Sequence, residues 1–118
     1  MNDFRIVKSF HRAFSGIVAA FREEQNFKIQ SVFGVFVLLF AFFIGIHALD
    51  FLVLMAAVFF LLILELVNTS VEKLVDIVHP RVHKYAGMIK DFMAAAVLLG
   101  SILVIIIIFW VFLGHFQS

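Results

Sequence analysis

Every lysine and arginine of this chain falls in one of two short windows. Arg5, Lys8, Arg12, Arg22 and Lys28 occupy the first 28 residues, and Lys73, Arg81, Lys84 and Lys90 lie between 73 and 90. No basic side chain occurs from 29 to 72 or after 90. In membrane proteins, basic residues collect on the cytoplasmic side of the segments they flank. With both windows inside, the chain must leave and return between them, then leave once more. The uncharged stretch Ile29–Leu49 is long enough to span, since a helix needs about 20 apolar residues to cross. His47-Ala48-Leu49-Asp50 follows as a short outer turn. A second apolar run starts at Phe51, with Pro80 marking where its helix ends, and a third runs from Phe92 to Leu113.

Composition supports the same reading. Of 118 residues, 64% are hydrophobic and 14% charged, against about 45–50% and 25% in soluble domains. A chain this short has a high surface-to-volume ratio and would need more polar surface to stay in water. Intrinsic disorder is excluded by the same numbers. The absence of cysteine removes disulfides, thiolate metal sites and thiol nucleophiles. The net charge of +1 gives no sign of a nucleic-acid partner. A secretory signal is not expected, because the first long apolar run begins too late and lacks a small-residue cleavage site.

The expected fold is therefore an all-α integral membrane protein in one domain. Residues 1–28 form an amphipathic surface helix, 29–49 a first span, 51–78 a second that extends into the cytoplasm, 79–90 a cytoplasmic loop, and 91–114 a third span. Val7, Phe10, Phe14, Ile17 and Phe21 recur at the 3–4 spacing of one helical stripe, opposite Arg5, Lys8 and Arg12. Such a helix binds an anionic headgroup surface. The N-terminus is expected inside and the C-terminus outside.

The second span carries the chemistry. Glu65, Asn68, Thr69, Glu72 and Asp76 fall within about a third of the helical circumference, and aliphatic residues fill the remainder. A span that begins at Phe51 ends near Ser70, about 20 residues on. Glu65 then lies a turn or two inside the boundary, while Glu72 and Asp76 lie at or beyond it. Charge at such depth is expensive and usually functional, although Glu65 and Asn68 could also serve as packing glue between helices. Paired carboxylates near water suit Mg²⁺, which commonly arrives with nucleotide phosphates. A deeper, partly desolvated carboxylate suits the acceptance of a proton from an alcohol. Together these are the parts of a phosphoryl transfer site. No P-loop motif is present, and the six glycines are isolated.

The run Glu65-Leu66-Val67-Asn68-Thr69-Ser70-Val71-Glu72-Lys73-Leu74-Val75-Asp76 resembles the E-(I/L)-x-N-(S/T)-A-(I/V)-E-x-(V/L)-V-D signature of the prokaryotic diacylglycerol kinase family. Lys90-Asp91-Phe92-Met93-Ala94-Ala95-Ala96-Val97-Leu98-Leu99 resembles that family's second signature. Ala19-Ala20-Phe21-Arg22-Glu23-Glu24-Gln25-Asn26-Phe27-Lys28 resembles its surface-helix motif. The resemblance implies a small homotrimeric membrane kinase that uses MgATP to phosphorylate a lipid alcohol. It implies Glu65 as the base with Asn68 beside it, and Glu24 and Glu72 as the carboxylates that hold the metal with the nucleotide. Lys90, Asp91, Arg5, His83 and Gly87 correspond to nucleotide contacts. Arg12, where the enterobacterial branch has a tyrosine, is grouped with them.

Two further departures from that branch are Gln30, in place of a glutamate, and Val82, in place of a tyrosine. Glu24-Gln25-Asn26-Phe27-Lys28-Ile29 instead resembles Gram-positive-type members, which implies undecaprenol as the acceptor, with diacylglycerol the alternative. The basic stretch His79–Lys84 is expected to help hold ATP or to serve topology alone. Ala94-Ala95-Ala96 and Gly100-Ser101 suit close helix contacts, and Trp110 and His115 suit anchoring at the outer interface. Readings from other classes are a small ion-coupled multidrug transporter with one embedded glutamate, and a non-catalytic trimeric scaffold. The short chain cannot enclose a site alone, which itself argues for a trimer with shared sites.

Overall fold

The computed structural model describes residues 3–117; the side chains of residues 79–83 lie outside that description. The described residues form α1 (Asp3–Glu23), α2 (Gln25–Phe43) and α3 (Ala48–Gln117). α1 is amphipathic, with Phe4, Val7, Phe10, Phe14 and Phe21 all exposed and Ala20 its one buried residue. The break between α1 and α2 is a single residue. Glu24 takes an extended backbone (φ −107, ψ 111), its N–H still donates to Ala20 O at 2.9 Å, and its carbonyl accepts from Lys28 N at 3.1 Å. The chain thereby changes direction with these two helical hydrogen bonds kept on either side of the break.

The outer turn between α2 and α3 lies at Ile44–His47, ahead of the expected His47–Asp50. Gly45 has a φ of +77, a left-handed conformation that glycine adopts without a Cβ penalty. Gly45 N–H donates to Phe42 O at 3.2 Å and Ile46 N–H to Ala41 O at 3.1 Å, the two bonds of a Schellman cap. Ile46 then folds back onto the cluster around Ala41.

α3 is 70 residues long and would extend about 105 Å if straight. The whole molecule is only 57 Å in its longest dimension, because α3 folds back on itself. Leu54 and Val111, near its two ends, are buried together with Ala41. The reversal falls between Asp76 and Lys90, whose side chains meet at 2.7 Å, in the interval that contains Pro80. The stretch 79–90, expected as a loop, is helical in its backbone. Ala86, buried at 1% exposure, already begins the inward stripe that continues through the second arm.

Three segments are long and apolar enough to cross a membrane: Gln25–Phe43, Ala48–Val78 and Lys84–Gln117. Their large hydrophobic side chains point mostly outward, as lipid-facing residues do. Inward, each segment presents a seam at alternating 3–4 spacing. In α2 the seam is Phe27, Gln30, Gly34, Val37 and Ala41; in the first arm of α3 it is Leu54, Val58, Leu61, Glu65 and Asn68. In the second arm it runs Ala86, Lys90, Met93, Val97, Gly100, Val104 and Val111. At Gly100 the arms come so close that a Cβ would stand 2.6 Å from Leu64 Cδ2. That contact is made within one chain.

Candidate active site

Among the described residues, Glu65 (2% exposed) and Asn68 (9%) are the buried polar side chains. Both occupy seam positions that hold aliphatic residues closer to the outer turn, so the periodicity that buries Leu54, Val58 and Leu61 also buries them. The Glu65 carboxyl is faced by the carboxamides of Asn68 and Asn26 as hydrogen-bonding groups, and by the carboxylates of Glu72 and Glu24. Its Oε2 is buried with no hydrogen-bond partner. The Oε1 atom of Gln30 on the α2 seam is in the same condition.

Glu24 reaches this cluster because the break between α1 and α2 falls on it. Its carboxylate lies 3.8 Å from Lys73 Nζ, one position beyond Glu72. Glu72 itself is exposed. At the closed end of the α3 hairpin, Lys90 Nζ donates to Asp76 Oδ1 at 2.7 Å, and the Glu72 carboxylate acts on the same ammonium. The Ser70 hydroxyl is occupied within its own helix, donating to Leu66 O at 2.9 Å.

Two grooves flank the cluster. One, of about 480 Å³, is apolar and lined by Ile17, Phe21, Phe27, Phe59, Ile63 and Leu66. The other, of about 500 Å³, is lined by small and polar residues including Gly16, Ala20, Glu24, Thr69, Ser70 and Lys73. Glu65 lines neither, but its neighbour Leu66 lines both.

Of the residues singled out by sequence, the structure gathers Glu65, Asn68, Glu24 and Glu72, with Lys90 at the edge. Asp91 and Gly87 are exposed nearby along the second arm. Arg5 and Arg12 are exposed on the first half of α1, about 28 and 18 Å from Glu24 by helical rise. His83 has its side chain outside the described residues. Sequence reasoning passed over two members of the cluster. Asn26 lies inside a recognised run but comes to face Glu65 only through the packing of α2 on α3. Lys73 reads, within its basic window, as a topology signal.

Among the described residues no three His, Asp or Glu side chains converge on a metal position. Glu24 and Glu72 still fit a magnesium ion, which takes hard oxygen ligands and is commonly bound by one or two carboxylates plus substrate phosphates. The arrangement thus offers a buried proton acceptor, two carboxylates beside it and cations at its rim.

Residues 11–112 match the family described as prokaryotic diacylglycerol kinase. The chain belongs to that family. A diacylglycerol kinase of Synechocystis sp. (strain ATCC 27184 / PCC 6803 / Kazusa) is 36% identical over 103 residues, covering 86% of this chain and 59% of that protein. The chain thus spans under two thirds of the Synechocystis protein. A diacylglycerol kinase of Escherichia coli (strain K12) is 29% identical, with 95% and 92% of the two chains covered. An undecaprenol kinase of Bacillus subtilis (strain 168) is 30% identical, with 92% and 89% covered. This member of the prokaryotic diacylglycerol kinase family is a membrane lipid kinase, and the transporter and scaffold readings fall away.

Proposed function

We propose that the chain transfers the γ-phosphoryl of MgATP to the hydroxyl of a lipid alcohol at the cytoplasmic face of a bacterial inner membrane, with undecaprenol as its acceptor. The observation that carries this is the Glu65 carboxyl, buried on the seam between two amides with one oxygen left without a partner. A base must lie within hydrogen-bond reach of the proton it takes, and a carboxylate oxygen that no group of the protein already occupies can accept the hydrogen of a hydroxyl that reaches it. The lipid oxygen attacks the γ-phosphorus, the bond from that phosphorus to the β–γ bridging oxygen breaks, and the hydroxyl proton passes to Glu65. The products are a lipid phosphate and ADP.

Asn68 and Asn26 orient the Glu65 carboxyl. Glu24 and Glu72 would hold the magnesium ion, which when bound neutralises phosphate charge. Lys90, Asp91, Gly87 and His83 meet the nucleotide. Arg5 and Arg12 join them from the α1 of a neighbouring subunit in a homotrimer, since helical rise along α1 keeps them far from Glu24 of their own chain. The apolar groove beside Leu66 suits the lipid tail, and the more polar groove suits the nucleotide. The confinement of Lys and Arg to the two windows supports an N-terminus inside and a C-terminus outside.

Undecaprenol is favoured by the run Glu24–Ile29, which resembles Gram-positive-type members, and by the name of the Bacillus subtilis relative. Diacylglycerol is the second reading, favoured by the names of the Synechocystis and Escherichia coli relatives. Purified protein in micelles, supplied with MgATP and each lipid side by side, tests both. Faster lipid phosphate formation with undecaprenol supports the first reading and faster formation with diacylglycerol the second. Turnover with neither would overturn the assignment.

A further inference from the structure

The contact between Lys90 and Asp76 is tighter than the fold requires. The two side chains are 40% and 63% exposed, and an ion pair so open to water adds little to stability. The α3 hairpin is already closed by buried Val75 and Ala86 near its bend and by the close approach of Gly100 to Leu64. Yet Lys90 Nζ is held at 2.7 Å from Asp76 Oδ1, within the field of the Glu72 carboxylate. Asp76 is thus one helical turn beyond Glu72 and tethers a cation beside it.

We propose that Asp76 is a positioning residue, which holds the Lys90 ammonium where the nucleotide phosphates arrive. A lysine has a flexible four-carbon stem and loses rotamer freedom when it settles on an anion. An acid that has already ordered the stem removes part of that loss from the binding step. Asp76 touches neither substrate; it acts through Lys90. The inference rests on the reading of Lys90 as a nucleotide contact, and the test separates the two.

Full-length Asp76→Asn, Asp76→Glu, Lys90→Met and the double variant Asp76→Asn/Lys90→Met are compared in micelles at saturating lipid. The readouts are KM for MgATP, kcat and the thermal midpoint. Asp76→Asn is expected to raise KM by about threefold to tenfold, with kcat within about twofold and the midpoint unchanged. Asp76→Glu is expected to restore KM, and the double variant to be no worse than Lys90→Met, because the two residues act as one unit. If Lys90→Met leaves KM unchanged, the nucleotide role of Lys90 fails and the proposal with it. If Lys90→Met raises KM while Asp76→Asn leaves it unchanged or lowers it, the proposal alone fails. A loss in Asp76→Asn that follows a lowered midpoint would assign Asp76 to structure and also overturn it.

Discussion

Glu24 and Lys73 form a 3.8 Å ion pair across the junction of α1, α2 and the first arm of α3. Their side chains are 28% and 63% exposed, so the pair contributes at most about 1 kcal/mol to stability. Its larger effect is on charge, because Lys73 competes with any cation for the Glu24 carboxylate. Lys73→Met is expected to leave the thermal midpoint nearly unchanged while lowering the Mg²⁺ concentration for half-maximal activity, by roughly twofold to threefold if the pair is worth about half a kcal/mol. A magnesium titration at fixed ATP measures this; an unchanged midpoint of that titration would separate Glu24 from the metal.

Glu65→Gln keeps the shape and burial of the side chain and removes its capacity to take a proton. Lipid-dependent turnover is expected to fall by about 10²–10⁴-fold, the usual worth of a general base, with ATP binding retained. Turnover and nucleotide binding measured on one preparation check this. Normal turnover would remove Glu65 from the base role.

Asn26→Ala removes one of the two amides facing Glu65 and leaves Asn68 in place. Loss of one such hydrogen bond, worth about 1 kcal/mol, predicts a fall in kcat of several-fold with KM for ATP unchanged. Asn26→Gln, whose longer stem misplaces the amide, is expected to recover only part of the rate.

Gly100→Ala would bring a Cβ to 2.6 Å from Leu64 Cδ2 and 3.5 Å from Phe60 Cε2. The first atom is the free end of a flexible side chain, so a small shift relieves the contact and the loss should stay near 1 kcal/mol. Gly100→Leu has no such relief and should separate the two arms. Thermal unfolding in micelles distinguishes the pair of variants.

Gly45→Ala addresses the outer turn, far from the cluster. A φ of +77 is strained for a residue with a Cβ, by about 1–2 kcal/mol. The expected result is a lowered thermal midpoint with kcat intact, and Gly45→Asn should be milder.

Much of the fold was legible because lipid imposes simple rules. Apolar length and the two basic windows yield three crossings, and the 3–4 spacing of Val7, Phe10, Phe14, Ile17 and Phe21 yields the amphipathic helix. Glu65, Asn68 and Glu72 were legible from their shared helical face. Three features were not. The position of the outer turn depends on the left-handed conformation of Gly45, not on the polar His47 and Asp50. Asn26 reaches Glu65, and Lys73 reaches Glu24, only through contacts between segments, which local periodicity does not encode. The helical backbone of 79–90 is hidden by the basic, proline-containing composition of that stretch.

The unbroken 3–4 spacing from Leu54 to Asn68 makes the chain its own depth gauge. From Ala48 to Glu65 the helix rises about 25 Å, slightly less than the roughly 30 Å hydrocarbon layer it crosses. A single residue inserted anywhere in that interval would turn the carboxylate through about 100° and move it about 1.5 Å farther from the outer turn. Bilayer thickness enters the same measure: a thicker layer would draw Glu65 deeper below the water interface, and a thinner one would expose it. The buried Glu65 carboxylate is thereby calibrated against the membrane by the length of one helix.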